Sequence, residues 1–148
     1  MQIIDALRRS SVGIRPEQTI REAATLMDQA GVGSIAVIDG DNLVGIVTDR
    51  DLVRRALARG LPDDARVDAV MSSPVVTVPA DAELHDVFAV FRTHAVRRLA
   101  VVRGTTFQGM ISIDDLLLDL SADLADLARP VTAEVLFSHH DNPVPATT

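Results

Sequence analysis

The chain repeats itself, and that limits its folds more than any other feature. Ile4-Asp5-Ala6-Leu7 returns as Val67-Asp68-Ala69-Val70, and Ser10, Val12 and Pro16 return as Ser73, Val75 and Pro79. One residue is inserted near positions 81–83, and the match then runs on without a gap. Val32 meets Val96, Ala36 meets Ala100, Val37 meets Val101, and Gly40 meets Gly104. Gly45, Asp51 and Leu52 meet Gly109, Asp115 and Leu116. The matches fall on turn glycines, apolar positions of buried type and one acid, which marks a duplicated structural unit.

Each copy has the same grammar. A short lead-in helix carries Ile4 and Leu7, or Val67, Val70 and Met71. An extended piece follows over residues 12–16 or 75–79, ending in proline. Ile20, Ala23, Ala24 and Met27, like Leu84, Val87, Phe88 and Phe91, recur at three-and-four spacing, the mark of an amphipathic helix. Thr19 and Asp81 stand where N-caps are expected. Two β-branched runs come next, residues 34–38 then 43–47, and 99–102 then 107–111. The joining sequences Asp39-Gly40-Asp41-Asn42 and Arg103-Gly104-Thr105-Thr106 signal β-hairpins. A closing helix spans residues 49–59 with Gly60 as its C′ residue, and in the second copy residues 114 to about 127.

The order is β-α-β-β-α, twice. This is an α/β (α+β) fold of two repeats, residues 4–60 and 66–127, with an extension over 128–148. A unit of about 60 residues buries too little surface to stand alone, so the copies should pack as a pseudo-two-fold pair.

Composition narrows the function. Aromatics are 3 %, with no Trp or Tyr, so aliphatic side chains must fill the core and few base-stacking platforms exist. A net charge of −7 repels polyanions, which disfavours a nucleic-acid partner. All 14 basic residues are Arg, which reads as genomic base composition. Without Cys, disulfides, thiolate zinc sites and Cys nucleophiles are excluded. No leader pattern and no apolar run of about 18 residues is present, so a soluble cytoplasmic protein without membrane contact is expected. No Ser/His/Asp order, paired catalytic carboxylates or Walker-type loop suggests an enzyme.

The chemistry concentrates where each hairpin ends. Copy one reads Gly45-Ile46-Val47-Thr48-Asp49-Arg50-Asp51, and copy two Gly109-Met110-Ile111-Ser112-Ile113-Asp114-Asp115. A hydroxyl residue stands where a strand becomes a helix, and free N–H groups and the helix dipole attract an anion there. One turn in, a carboxylate can accept both hydroxyls of a ribose, as acids do in other nucleotide folds. The glycine lets neighbouring chain come close to such a ligand. The same spacing is also a capping-box variant, with Thr48 as N-cap and Asp51 satisfying helix donors. Both readings stand.

In this frame the two motifs resemble a tandem pair of CBS (cystathionine-β-synthase) domains, over residues of about 4 to 120. The resemblance implies a stand-alone, non-enzymatic regulatory module. Its clefts between repeats would take an adenosyl ligand such as AMP, ADP, ATP or S-adenosylmethionine, with no enzyme cofactor and no metal. It implies that Thr48 and Ser112 touch phosphate and Asp51 and Asp115 touch ribose. Ile14 to Pro16, Thr77, Val78 and Pro79, with Ser34 to Ala36 and Arg98, Leu99 and Ala100, would line the adenine pocket. Ala36 and Ala100 stand where family members often have proline. A position often basic is Arg98 in copy two but Ser34 in copy one, so the cleft of Ser112 and Asp115 is expected to be the better phosphate site. Arg97 and Arg98 read equally well as partners of surface acids.

The remaining signals concern partners. His94 suits a helix end, as a cap or as a contact to a ligand phosphate. His139-His140 could bind a metal only with ligands from elsewhere. Leu117, Leu120, Leu124 and Leu127 repeat like a coiled-coil seam, with Val131 in register past Pro130. That seam packs either on its own core or on a second copy, and a homodimer is expected. Residues 131–137 are apolar enough to dock, and 141–148 read as a disordered tail. The alternative function is a ligand-free dimerisation or interaction scaffold acting through the C-terminal helix. A DNA-linked role ranks third.

Overall fold

A computed structural model describes residues 2, 3, 7 and 12–138, the last eight as backbone. The expectations for Ile4, Ser10, the His139-His140 pair and the tail lie outside the described residues. The chain divides into two units, Met1–Ser112 and Ile113–Thr148.

The first unit holds β1 (Gly13–Ile14), α1 (Ile20–Ala30), β2 (Ser34–Asp39) and β3 (Asn42–Thr48). A helical run over 49–59, α2, closes the first copy. It begins with an α-helical turn at Asp49–Asp51, widens to a π turn at Leu52–Ala56 and tightens to a 3-10 turn at Leu57–Arg59. Gly60 ends it at φ 68°, in the left-handed region glycine tolerates. The second copy supplies β4 (Thr77–Pro79), α3 (Leu84–His94), β5 (Arg98–Arg103) and β6 (Thr106–Ser112). The second unit is the helix α4, Ile113–Ser138. The expected β-α-β-β-α order is present twice.

Both hairpins form because β-branched runs meet at two-residue turns whose first position needs a positive φ. Gly40 and Gly104 supply it, at 64° and 66°. In each copy the parallel strand pairs with the first hairpin strand, Ile14 opposite Val37 and Val78 opposite Val101. The six strands run β1-β2-β3-β6-β5-β4, an order that reads the same from either edge, as related copies require. The two hairpins pair at their tips. Asn42 pairs with Thr106, and the Thr105 hydroxyl donates to Asn42 Oδ1 at 2.8 Å.

The lead-in of the second copy does not serve the second copy. The lead-in belonging to copy two in sequence packs into copy one, where Val67 and Val70 are fully buried with Ile14, Ile20, Met27, Ile35 and Val47. The Val67 amide donates to the Gln18 carbonyl at 2.7 Å, and Thr19 bridges to Arg66. Copy two receives the reciprocal contact: the Ile3 amide donates to the Ala82 carbonyl at 2.8 Å, and Gln2 bridges to Glu83. The lead-in expected to serve copy two thus serves copy one, while the helix expected around Ile4 lies outside the described residues. The extra valines close a core that one short copy cannot close, each contributing about 2 kcal/mol by burial.

The helix ends differ between copies. At α1, Thr19 Oγ1 accepts from the Glu22 amide at 3.1 Å, and Glu22 returns the bond to the Thr19 amide, a full capping box. The Ala65 and Asp63 carbonyls take the Ile20 and Arg21 amides. At α3 the N-cap is Glu83, not Asp81, and no side-chain cap bond forms. Asp81 is consumed by a turn closed by the Ala82 amide on the Pro79 carbonyl, so the helix starts later. The helix α4 also runs past residue 127 and through Pro130. One proline removes one hydrogen bond and strains one turn, and the Ala- and Leu-rich sequence before it favours the helix strongly. No helix among the described residues is long and apolar enough to cross a membrane.

Candidate functional site

Where β3 becomes α2, the capping reading is realised. Thr48 keeps extended backbone, its Oγ1 accepts from the Asp51 amide at 3.0 Å, and Asp51 Oδ2 accepts from the Thr48 amide at 3.0 Å. This leaves chemistry unspent. A threonine hydroxyl that accepts can still donate, so its hydrogen can serve an anion at the helix start. The Asp51 side chain is only 14 % exposed. Its Oδ2 takes the Thr48 amide and a long bond from the Ser72 hydroxyl, at 3.5 Å. Its Oδ1 faces the Arg55 Nε at 3.7 Å, which leaves lone pairs for a sugar hydroxyl.

Arg55 also reaches the strand between the repeats, donating from Nη1 to the carbonyls of Met71 at 3.2 Å and Val70 at 3.3 Å. Sequence reasoning passed over Arg55, although its place four residues after Asp51 on a helix was a signal. It had none for Ser72, which is brought in by the tertiary fold.

Gly45 explains how that strand comes so close. Ile46 and Ser72 exchange backbone bonds of 3.0 and 2.7 Å. A Cβ on Gly45 would lie 2.5 Å from Met71 Sδ and 3.1 Å from the Ser72 carbonyl oxygen. The glycine was expected to admit chain near a ligand; what it admits is the segment Met71-Ser72, against β3.

Arg98 reaches toward the other copy. It was assigned to the copy-two cleft, yet its guanidinium lies over Gly33 of copy one. A Cβ there would stand 3.5 Å from Arg98 Nη2 and 3.2 Å from Asp49 Oδ2. The Asp49 amide donates to the Gly33 carbonyl at 3.0 Å, so this is the first turn of α2. The reach has a sequence cause: Gly33-Ser34 in copy one stand where copy two has Arg97-Arg98. Arg97 engages other partners.

The other named residues divide by burial. Ser34 pairs with Thr48 across the hairpin, and Arg98 with Ser112. Ser34, Thr48, Asp51, Pro16 and Ser112 are half-buried, and Thr77, Pro79, Arg98 and Asp115 are exposed. Ile14, Ala36, Val78, Leu99 and Ala100 are buried, with their side chains spent on the core. Those five can offer a ligand only backbone. Asp115 lies in the first turn of α4, in the second unit. The sequence thus marked one cluster, around Thr48 and Asp51, that the first unit assembles with Arg55 and Ser72 beside it.

Among the described residues, two cavities lie elsewhere in the first unit. One of about 250 Å³ separates α1 from α2, between Ile20, Ala24, Leu52, Ala56 and Leu57. The other, about 270 Å³, lies under the hairpin tips by Ser73, Pro74 and Val75. Neither includes Thr48 or Asp51, and both fall below the 300 Å³ or so of usual ligand pockets. His94 is a cap: a carbonyl only accepts, so its Nδ1 donates to the Val90 carbonyl at 3.1 Å. Among the described residues no three His, Cys, Asp or Glu side chains converge as metal ligands.

Comparison with known proteins agrees with this architecture. The family model for the CBS domain matches residues 3–58 and again 67–122. The uncharacterized protein YlbB of Bacillus subtilis is 39 % identical over 128 residues, covering 81 % of this chain and 86 % of that one. The CBS domain-containing protein YhcV of the same organism is 35 % identical, covering 76 % and 80 %. A CBS domain protein from Pyrobaculum aerophilum, complexed with AMP, superimposes with a TM-score of 0.71 at 29 % identity, over 82 % of this chain and 99 % of that one. A putative signal-transduction protein with CBS domains from Burkholderia ambifaria gives 0.73 at 28 %, over 83 % and 96 %.

Proposed function

Because the chain belongs to the CBS-domain family, with one domain in each copy, we propose that it is a regulatory module without catalysis of its own, switched by an adenosyl ligand. AMP, ADP, ATP and S-adenosylmethionine are the candidates. The carrying observation is the reciprocal Thr48–Asp51 pair. It holds a hydroxyl and a carboxylate at one helix start, with a donor hydrogen for phosphate and Oδ1 for ribose still to be used. The AMP complex of the Pyrobaculum relative supports the ligand class. Ser112 and Asp115 carry the same residue types in copy two. The edges of β1, β2, β4 and β5, from Ile14, Ser34, Thr77 and Leu99 onward, offer backbone groups to adenine. Regulation then requires a ligand that prefers one of two conformations.

A thermal-shift series with the four candidates tests this reading. At least one should raise Tm at millimolar concentration, and Asp51→Ala should abolish the shift. No shift with any of them overturns it.

A second reading, an interaction scaffold and homodimer, is favoured by exposed apolar side chains. Leu118, Leu124 and Leu127 on α4 are 70, 65 and 69 % exposed, and Leu57 on α2 is 76 %. Truncation after Arg129 should then change the mass measured by light scattering while leaving any nucleotide response intact.

A further inference from the structure

The segment that joins the two copies is fastened to the first of them residue by residue. Val70 is fully buried in the copy-one core, and the Met71 sulfur lies against Gly45. Ser72 exchanges backbone bonds of 2.7 and 3.0 Å with Ile46 of β3. From there the chain runs through Ser73 and Pro74 into β4, which pairs with β5 of the second copy. A displacement of residues 70–72 on β3 therefore moves the strand on which copy two begins.

Side chains add a second hold on this joint, and both of its arms lead to Asp51. The Ser72 hydroxyl donates to Asp51 Oδ2 at 3.5 Å. Arg55 Nη1 donates to the carbonyls of Val70 at 3.3 Å and Met71 at 3.2 Å, while its Nε faces Asp51 Oδ1 at 3.7 Å. At 3.7 Å the contact to the acid is longer than a hydrogen bond, so the arginine is bonded to the joint and only attracted to the carboxylate. A guanidinium is a rigid plane, and what it offers the acid and what it offers the carbonyls change together. The hold falls in the π turn of α2, Leu52–Ala56, where the helix leaves regular register. Copy two has Asp119 at the matching position, and an ionised carboxylate has no hydrogen to give a carbonyl. The device is therefore particular to copy one.

We infer that Arg55 couples occupancy of Asp51 to the joint between the copies. A sugar hydroxyl that donates to Oδ1 takes up part of the negative charge that Nε faces. The guanidinium then turns further onto the Val70 and Met71 carbonyls, and residues 70–72 close more firmly on β3. This rests on the adenosyl-ligand reading above and deepens it by naming how the site is read out: the signal leaves through the backbone of the joint. Such coupling is reciprocal, so a chain with the joint opened binds the ligand more weakly by the same factor.

Hydrogen exchange of the full chain tests this, with and without whichever of AMP, ADP, ATP and S-adenosylmethionine gives the largest thermal shift. In the wild-type chain the saturating ligand should slow exchange at the Ile46 and Ser72 amides about tenfold, within the usual range of coupling between sites. Arg55→Gln should still bind by calorimetry, yet its exchange at those amides should no longer respond to the ligand. Arg55→Lys should behave like Arg55→Gln, because one ammonium cannot serve the acid and both carbonyls in a fixed plane. A merely structural arginine predicts otherwise: faster exchange in the variants, with the ratio between free and bound chain unchanged. That unchanged ratio, or a wild-type joint that ignores a bound ligand, overturns the inference and leaves the adenosyl reading standing. Loss of binding in Arg55→Gln also overturns it, by making Arg55 a ligand contact. If none of the four ligands binds the wild-type chain, both readings fall.

Discussion

The helix that closes copy one and the helix that closes copy two begin alike and then part. Each follows a strand that ends in Gly-apolar-apolar-hydroxyl, and each puts an aspartate in its first turn. After that, α2 is cationic and short, changing pitch twice before Gly60, while α4 is acidic and continues for 26 residues. The difference shows which part of a duplicated motif geometry demands. The hydroxyl and the acid serve the strand-to-helix corner itself, so any copy that folds has a use for them. The charges beyond belong to what the helix meets, and there the copies answer to different surroundings.

Substitutions can break this comparison, and steric ones should act most strongly. Gly45→Val should destabilise the first unit by about 3 kcal/mol, as overpacking against backbone does. The new side chain would drive Met71 and Ser72 off β3. Urea unfolding measures it, and a loss below 1 kcal/mol would mean the inter-repeat strand yields freely. Val67→Ala should cost about 2 kcal/mol. Its location is the sharper test: hydrogen exchange should rise in α1 and β2 of copy one, although the residue is copy two's in sequence. Protection lost in β4 and β5 instead would refute this placement of the lead-in.

Thr19→Ala should cost about 1 kcal/mol by removing the capping box, with fraying of the first turn of α1 seen by amide exchange. The smallest effect belongs to Asp63→Ala. The Arg21–Asp63 pair is 2.6 Å long, but its side chains are 72 and 61 % exposed, so water already solvates both charges. Denaturation should register less than about 0.5 kcal/mol.

Local rules made several elements legible. The hairpins, the Thr19 cap, the Gly60 stop and the Thr48–Asp51 pair each depend on residues within four positions of one another, and each is found where the spacing placed it. Where a distant segment intervened, the reading shifted. Asp81 loses the cap because the turn on Pro79 claims it, and Gly45 faces Met71 and Ser72 because the chain returns alongside β3.

The sequence by itself thus determined the repeat, the β-α-β-β-α order, the CBS family and the residue types at each helix start. All of these are written in periodicity, turn chemistry and short-range hydrogen bonding. Only the tertiary structure decided that Val67 and Val70 complete the core of copy one, that Ser72 closes on Asp51, and that Arg98 leans over Gly33. Those contacts join positions far apart in the chain, and their energy comes from burial and from polar groups meeting across the fold. No local pattern encodes which distant partner will arrive.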